Sequence, residues 1–371
     1  MRRLPALLLP VLLLAAACGD DDGANVTGSA SPSGSASASA SASGSGSASA
    51  SGAGEDQPID EDAALVIYSG RNEELVGPLI ETFEEESGFD VSVRYGASAE
   101  MGAALLEEGD RTPADVFLSQ EIGAIGVLED AGLLVDLPAT VLEQAEERFR
   151  PSNGSQWVGV TGRSRVIVYN PELVDTAPTG VLELTDDAFE GKVGWVPTNA
   201  SFQAFVTAFR VTQGEDAARE WLEAMKDNGA EEYGSNEDLL HAVDDGEVAI
   251  GLINHYYWAR LLDEVGEEEL NAEIVFPEGD DPGGLVMASG VAILAPGAEN
   301  EAAHAFVEFL LSEEAQTYFA EETDEYPVVE GIPDPEGVPP LEELEGPAID
   351  LTDLESLGET QALLTEVGLL S

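Results

Sequence analysis

Between Leu65 and Ala131 short apolar runs alternate with amphipathic segments, and this alternation limits the fold more than any other feature of the chain. Leu65-Val-Ile-Tyr68 reads as a buried strand and Ser69-Gly-Arg-Asn72 as a polar turn. Glu73 to Ser87 then places Leu75, Val76, Leu79, Ile80 and Phe83 on one helical face, and Gly88 stops it. Glu73 and Glu74 fall in the first turn, where acids suit the helix dipole. Val91 to Tyr95 alternates as a strand, and a helix follows from about Ala99 to Glu108. Ala114 to Leu118 is another strand, and Glu121 to Ala131 another helix. A βαβα order of this kind implies an α/β fold with a parallel sheet covered by helices.

The second half of the chain keeps the same habits. Trp157 to Tyr169 reads as an extended segment broken by Gly162-Arg-Ser-Arg165. Val193-Gly-Trp-Val196 is a strand ending at Pro197-Thr198-Asn199, followed by helices over 201–212, 216–228 and 236–243. Val248 to Ile253 is an apolar run like a buried parallel strand, and Ala259 to Val265 leaves it with helical spacing. Asn254, Tyr256 and Tyr257 therefore stand where a strand gives way to a helix. Open α/β sheets gather ligands outside the carboxyl ends of their strands. Two adjacent phenols there are either packed aromatics or a pair of oxygen ligands. Ile274 to Phe276 and Val286 to Leu294 are further strands, 301–311 and 313–321 packed helices, and 333–347 a Pro- and Glu-rich loop. Leu357 to Leu370 is a last amphipathic helix.

The amino-terminal part has a different character. Met1-Arg-Arg is a positive start, Leu4 to Leu14 a short apolar core, and Ala15-Ala-Ala17 a small-residue cleavage site before Cys18. At about 14 apolar residues the segment is too short for a convincing membrane span. Cys18 is the one cysteine, so no intramolecular disulfide forms. A small-small-Cys ending resembles the bacterial lipoprotein signal, in which the cysteine carries the lipid; Ala15 stands where leucine is preferred. An ordinary secreted protein with a chance cysteine is the other reading. Residues 19 to 60 are mostly Gly, Ser, Ala and Asp, too polar to offset the entropy of ordering. Such a tether of about 40 residues reaches roughly 35 Å.

With 371 residues, 43% of them hydrophobic, the chain can build two lobes with separate cores. Its net charge of −60, from 74 acidic against 14 basic residues, excludes nucleic acid as a partner, because phosphate binding needs a basic surface. The charge reads as a solvated acidic coat rather than as a cation trap. No Walker loop, Gly-x-Ser-x-Gly or His-Glu-x-x-His occurs. His241, His255 and His304 are too few and too scattered for a zinc site, and no nucleophile–base pair points to an enzyme.

Several blocks, taken in order, resemble the periplasmic ferric-ion-binding proteins of bacterial iron(III) ABC transporters. They are Val66-Ile-Tyr-Ser-Gly-Arg71, Pro113-Ala-Asp-Val-Phe117, Thr161-Gly-Arg-Ser-Arg-Val-Ile-Val-Tyr169, Gly194-Trp-Val-Pro-Thr198, Leu252-Ile-Asn-His-Tyr-Tyr-Trp258 and Glu325-Tyr-Pro327, within a match from about Ala64 to Leu370. The resemblance implies a two-lobed periplasmic-binding-protein-like fold of type II, with the ligand cleft between lobes joined by a hinge. Residues 1–17 would be a lipoprotein signal peptide, 18–60 the lipid-anchored tether and 61–371 the solute-binding domain. Lobe 1 would take about 61–162 plus 286–335, and lobe 2 about 163–285 plus 336–371.

The resemblance also implies the chemistry. Tyr256 and Tyr257 would give phenolate oxygens to Fe(III), a small hard cation that prefers anionic oxygen. Adjacent helical side chains point about 100° apart, so two neighbours share an ion most easily at a strand-to-helix junction. Relatives often carry a His and a Glu where this chain has Asn72 and Gln120. Asn72 is equally readable as a helix N-cap, and Glu121 beside Gln120 would restore a carboxylate after a one-residue slip. Another branch uses a third Tyr where this chain has Phe202. An incomplete ligand set invites a synergistic anion such as phosphate or carbonate. Asn199, Ala200 and Ser201 at a helix start, with Asn236 and Asn254, correspond to its site, and a helix N-terminus suits an anion. Arg163 is either part of that site or a structural ion pair behind the hinge. The protein would be a non-enzymatic monomer, anchored through Cys18 outside the cytoplasmic membrane, that hands iron to an ABC permease. The same scaffold could instead bind thiamine, a polyamine, a phosphonate or another anion such as sulfate, and an extracellular enzyme is the remote alternative.

Overall fold

The computed structural model describes residues 59–370, apart from Glu345 and Ala348. The expected signal peptide, Cys18 and the tether up to residue 58 lie outside the described residues. In chain order the elements are β1 (Leu65–Ser69), α1 (Glu73–Ser87), β2 (Val91–Tyr95), α2 (Ser98–Glu108), β3 (Val116–Ser119), α3 (Ile122–Asp130), α4 (Ala139–Leu142) and β4 (Val158–Tyr169). Then come β5 (Val193–Trp195), α5 (Ala200–Gln213), α6 (Glu215–Asp227), β6 (Glu231–Glu232), α7 (Asn236–Asp244), β7 (Ile250–Asn254), α8 (His255–Val265), β8 (Glu273–Val275) and β9 (Val286–Ile293). Three helices close the chain: α9 (Glu301–Leu310), α10 (Glu313–Glu322) and α11 (Leu357–Glu366).

The strand order is β2-β1-β3-β9-β4-β7-β5-β6, with β8 on β4. β1 pairs parallel with β2 and β3, as the βαβα reading requires, and β5 pairs parallel with β7. The central strands are antiparallel: β9 to β3 and β4, and β4 to β7. The expected break at Gly162-Arg-Ser-Arg165 does not occur. β4 runs through it and changes partner there, with Val158 to Ser164 on β9 and Arg165 to Tyr169 on β7. Polar residues are tolerated because their side chains are buried in a hydrogen-bonded cluster rather than in apolar core; Arg163 is 0% exposed and Arg165 2%.

The packing follows from side-chain period. The first core gathers Leu65, Ile67, Phe117, Leu118, Val291 and Phe306 from β1, β3, β9 and α9. Where β4 pairs with β7, its side chains alternate across the sheet. Ile167 faces Trp195, Phe205 and Trp221 on one side, and Val166 and Val168 face Leu239 and Ile253 on the other. α1 ends as expected at Gly88, whose φ of 72° only glycine adopts without strain, and its N–H closes on the Glu84 carbonyl. The segment after residue 336, expected with lobe 2, is divided. Leu341, Leu351 and Leu354 pack in the first core, whereas Leu363, Leu364 and Val367 pack in the second. α11 is held on the second core by cations, with Arg210 donating to Thr360 at 2.9 Å and Arg219 paired with Glu366 at 2.6 Å.

Candidate functional site

β7 passes into α8 without a loop, so Tyr256 and Tyr257 sit in the first helical turn directly beyond a strand end. Their rings lie 4.4 Å apart at 33°. Tyr256 is 1% exposed, and Tyr257 is half-buried. Asn254 occupies the N-cap position of α8 but makes no cap hydrogen bond. Asparagine is among the best capping residues, worth about 1 kcal/mol there. Its amide is instead turned into the site, where Nδ2 donates to Ser201 Oγ at 3.1 Å and, at 3.4 Å, to the Tyr256 hydroxyl oxygen.

Four other expected site residues join this cluster. Gln120, in the turn between β3 and α3, places Nε2 3.5 Å from the Tyr256 oxygen. An amide nitrogen at that position is a donor to the phenol and offers no lone pair to a metal. Ser201 in the first turn of α5 also accepts from Arg163 Nε at 3.2 Å. Arg163 further donates to Ser289 at 3.0 Å and to the Gln120 carbonyl. Its hydrogen bonds go to hydroxyls and a carbonyl, and among the described residues no carboxylate forms an ion pair with it. Asn236, at the start of α7 and 1% exposed, faces Tyr257, yet neither of its side-chain polar atoms reaches full hydrogen-bond geometry. A buried amide without a well-formed hydrogen bond is costly.

Asn72, Asn199 and Ala200 behave differently. Asn72 is exposed at the N-cap position of α1, where its side chain makes no cap bond. Asn199 caps α5: its Oδ1 accepts from the N–H groups of Ser201 at 3.0 Å and Phe202 at 3.3 Å. Those two helix N–H groups are already engaged. Ala200 opens α5 and is partly exposed. Phe202 is buried against Trp195, 5.7 Å between ring centres, and belongs to the second core. Glu121 is the side-chain cap of α3, accepting from the Ala124 N–H at 3.2 Å. Burial pushes its carboxyl up to about 7, against the pull of that N–H and of Arg163.

Sequence reasoning gave no role to Arg71, Arg165, Thr161, Ser289 or Glu325. Arg71, 2% exposed, pairs with Glu325 and donates to Thr161 at 3.1 Å and to Ser289. Arg165 donates to Asn254 Oδ1 at 3.1 Å and to the Leu252 carbonyl at 2.8 Å. Three buried guanidinium groups thus surround the tyrosines, and among the described residues Glu325 is the one carboxylate bonded to any of them. Burial works against the charge of each. For Arg71, Glu325 outweighs burial. Arg165 is lowered to about 9, with the tyrosine oxygens supporting its charge and Arg163 opposing it. Burial, and next the neighbouring Tyr256, holds the Tyr257 phenol well above its ordinary value, while Asn236 and Arg163 oppose the rise. A signal for these residues was available. In a chain with only 14 basic residues, cations inside apolar strands are conspicuous.

His255 lies behind the pair, 0% exposed, stacked on Tyr326 at 4.6 Å and accepting from the Ser164 N–H at 3.2 Å. Burial lowers it to about 4, so it is neutral packing. Among the described residues no three His, Cys, Asp or Glu side chains group to hold a metal.

A family model described as bacterial extracellular solute-binding protein matches residues 111–346. The chain is 34% identical over 317 residues to the Fe(3+)-binding periplasmic protein of Serratia marcescens, covering 85% of this chain and 93% of that one. It is 31% identical to the major ferric iron-binding protein of Neisseria meningitidis serogroup B, covering 83% and 93%. Among solved structures, iron-bound HitA from Pseudomonas aeruginosa superposes with a TM-score of 0.77 at 34% identity, covering 82% of this chain and 99% of that one. The apo ferric ion-binding protein A of Pasteurella haemolytica superposes with a TM-score of 0.72 at 28% identity, covering 83% and 98%. These likenesses fix the fold as the two-lobed type II periplasmic-binding architecture. The chain belongs to the bacterial extracellular solute-binding proteins and, among them, to the periplasmic ferric-ion-binding family.

Proposed function

We propose that this protein is an extracytoplasmic receptor that captures Fe(III) through Tyr256 and Tyr257 and delivers it to an ABC permease. The observation that carries the reading is the tyrosine pair itself, two phenols in one helical turn ringed by Arg71, Arg163 and Arg165. Fe(III) favours anionic oxygen. A buried surplus of guanidinium favours phenolates and a further anion, and it disfavours a polyamine. Iron is the cargo, and its binding displaces the phenolic protons.

A synergistic anion such as phosphate or carbonate completes the coordination. The buried Asn236 amide, without a well-formed hydrogen bond, and the Ser201–Asn254–Arg163 cluster supply its donors. Asn199 serves by capping α5, and Ala200 offers its backbone at that helix start. Gln120 stands beside Tyr256, and Asn72 opens α1 at an exposed position. Gln120 acts as a donor to Tyr256, which makes direct ligation by its amide the weaker role. Lobe closure is a hinge motion driven by contacts available only in the closed state. The relatives named as iron-binding proteins support a receptor rather than an enzyme. Anchoring through a lipid on Cys18 and a monomeric state complete the proposal.

The test is metal analysis with a visible spectrum after loading with ferric nitrilotriacetate, with and without phosphate or bicarbonate. A tyrosinate-to-iron charge-transfer band is expected. A protein that stays colourless and metal-free would refute the reading.

A further inference from the structure

We propose that Arg165 is a positioning residue for Tyr256, fixing the Asn254 amide so that its nitrogen faces the Tyr256 oxygen. The inference rests on the tyrosine pair being the iron ligands. Arg165 and Asn254 are direct partners across the antiparallel β4–β7 pairing. The guanidinium reaches Asn254 Oδ1 at 3.1 Å and the Leu252 carbonyl at 2.8 Å. An asparagine amide can turn over and exchange its oxygen and nitrogen, whereas a guanidinium has donors only. Turned over, the amide would set N–H against N–H at a position where Asn254 is 0% exposed. One orientation alone satisfies Arg165. In it, Nδ2 points at Ser201 Oγ, 3.1 Å away, and at the Tyr256 oxygen, 3.4 Å away.

Two further observations point the same way. Asn254 stands at the N-cap position of α8 without capping it, so its side chain is committed to this relay. None of the hydrogen bonds of Arg165 goes to a carboxylate, unlike those of Arg71. A buried cation without a resident counter-ion suits a site where negative charge is completed by the bound form. Arg165 thus holds the donor that orients the oxygen of one ligand, as partners of metal ligands do in other metal sites.

The experiment compares wild type with Arg165→Gln, Arg165→Lys, Asn254→Ala and the Arg165→Gln/Asn254→Ala double variant. Fe(III) affinity is read by competition with nitrilotriacetate, and the charge-transfer maximum in the visible. Arg165→Gln is expected to weaken binding by about tenfold or more and to shift the band. Arg165→Lys keeps the charge and the fold but loses the fixed fork, and should move both readouts in the same direction by less. The double variant should be no weaker than Asn254→Ala, because Arg165 acts through that amide. Additive losses in the double variant overturn the proposal. So do a wild-type band and affinity in Arg165→Lys, together with Arg165→Gln wherever the latter folds. A colourless wild type fails the tyrosine reading and this proposal with it. A coloured wild type with unaffected Arg165 variants fails this proposal alone.

Discussion

The Arg71 guanidinium and the Glu325 carboxylate, 254 positions apart in sequence, form a buried ion pair beneath the tyrosines. Thr161 of β4 donates to the same carboxylate at 3.0 Å, and Thr323 does so at 3.2 Å. Burial alone would raise the Glu325 carboxyl, but Arg71 outweighs it and holds the group below the ordinary carboxylate range.

Glu325→Ala leaves Arg71 as an uncompensated buried charge. The expected cost is about 3–5 kcal/mol, read by urea unfolding at neutral pH. Because the folded pKa is depressed, the contribution of the pair is present above the unfolded value near about 4 and fades as pH falls through the folded value. A loss under about 1 kcal/mol would mean that solvent reaches the pair.

Tyr256→Phe and Tyr257→Phe each remove one oxygen and leave the packed ring. Both should bind ferric iron far more weakly and lose or shift the visible band, with thermal stability close to wild type. Unchanged iron titrations for both variants would contradict the ligand assignment.

Asn236→Ala separates anion binding from metal binding. It should weaken iron retention in phosphate or bicarbonate and have little effect in buffer free of such anions. Equal weakening in both would place Asn236 outside the anion site.

Asp324 gives a test by pH. It is the one non-glycine residue with positive φ among the described residues, at 54°, a conformation that Asp and Asn tolerate better than most. Burial, and next the nearby Asp263, raises its carboxyl to about 6. A raised carboxyl contributes stability below its unfolded value that is lost as pH rises through the folded value. Asp324→Asn should therefore match wild type at about pH 4 and exceed it by about 1–2 kcal/mol at about pH 8. Urea midpoints across that range decide it, and a constant difference between the two proteins would exclude the titration.

The order of elements was legible because local rules set it: apolar period, the Gly88 stop, and the strand-to-helix junction at Asn254. The tyrosine pair was legible as a junction pair, and the role proposed for it rests on the flanking blocks. The surroundings of the pair were not legible. Arg71 meets Ser289 and Glu325 across 218 and 254 positions, and no local period encodes such pairings. β4 was misread at residues 162–165 because strand patterning assumes apolar side chains on a buried face, and here that face carries guanidinium groups. Asn199 at the start of α5 illustrates the remaining ambiguity. The same residue type at a helix start serves an anion site or a cap, and only coordinates show its oxygen already taken.

The change of partner along β4 has a mechanical consequence. One continuous backbone joins the strands around the first core to those around the second, so a relative movement of the two would pass through β4. The changeover falls between Ser164 and Arg165, and Arg163 and Arg165 lie on either side of it. Arg163 is tied to Gln120 and Ser289, and Arg165 to Asn254. A small torsion of this strand would therefore turn the two guanidinium groups relative to each other, at the centre of the candidate site rather than beside it.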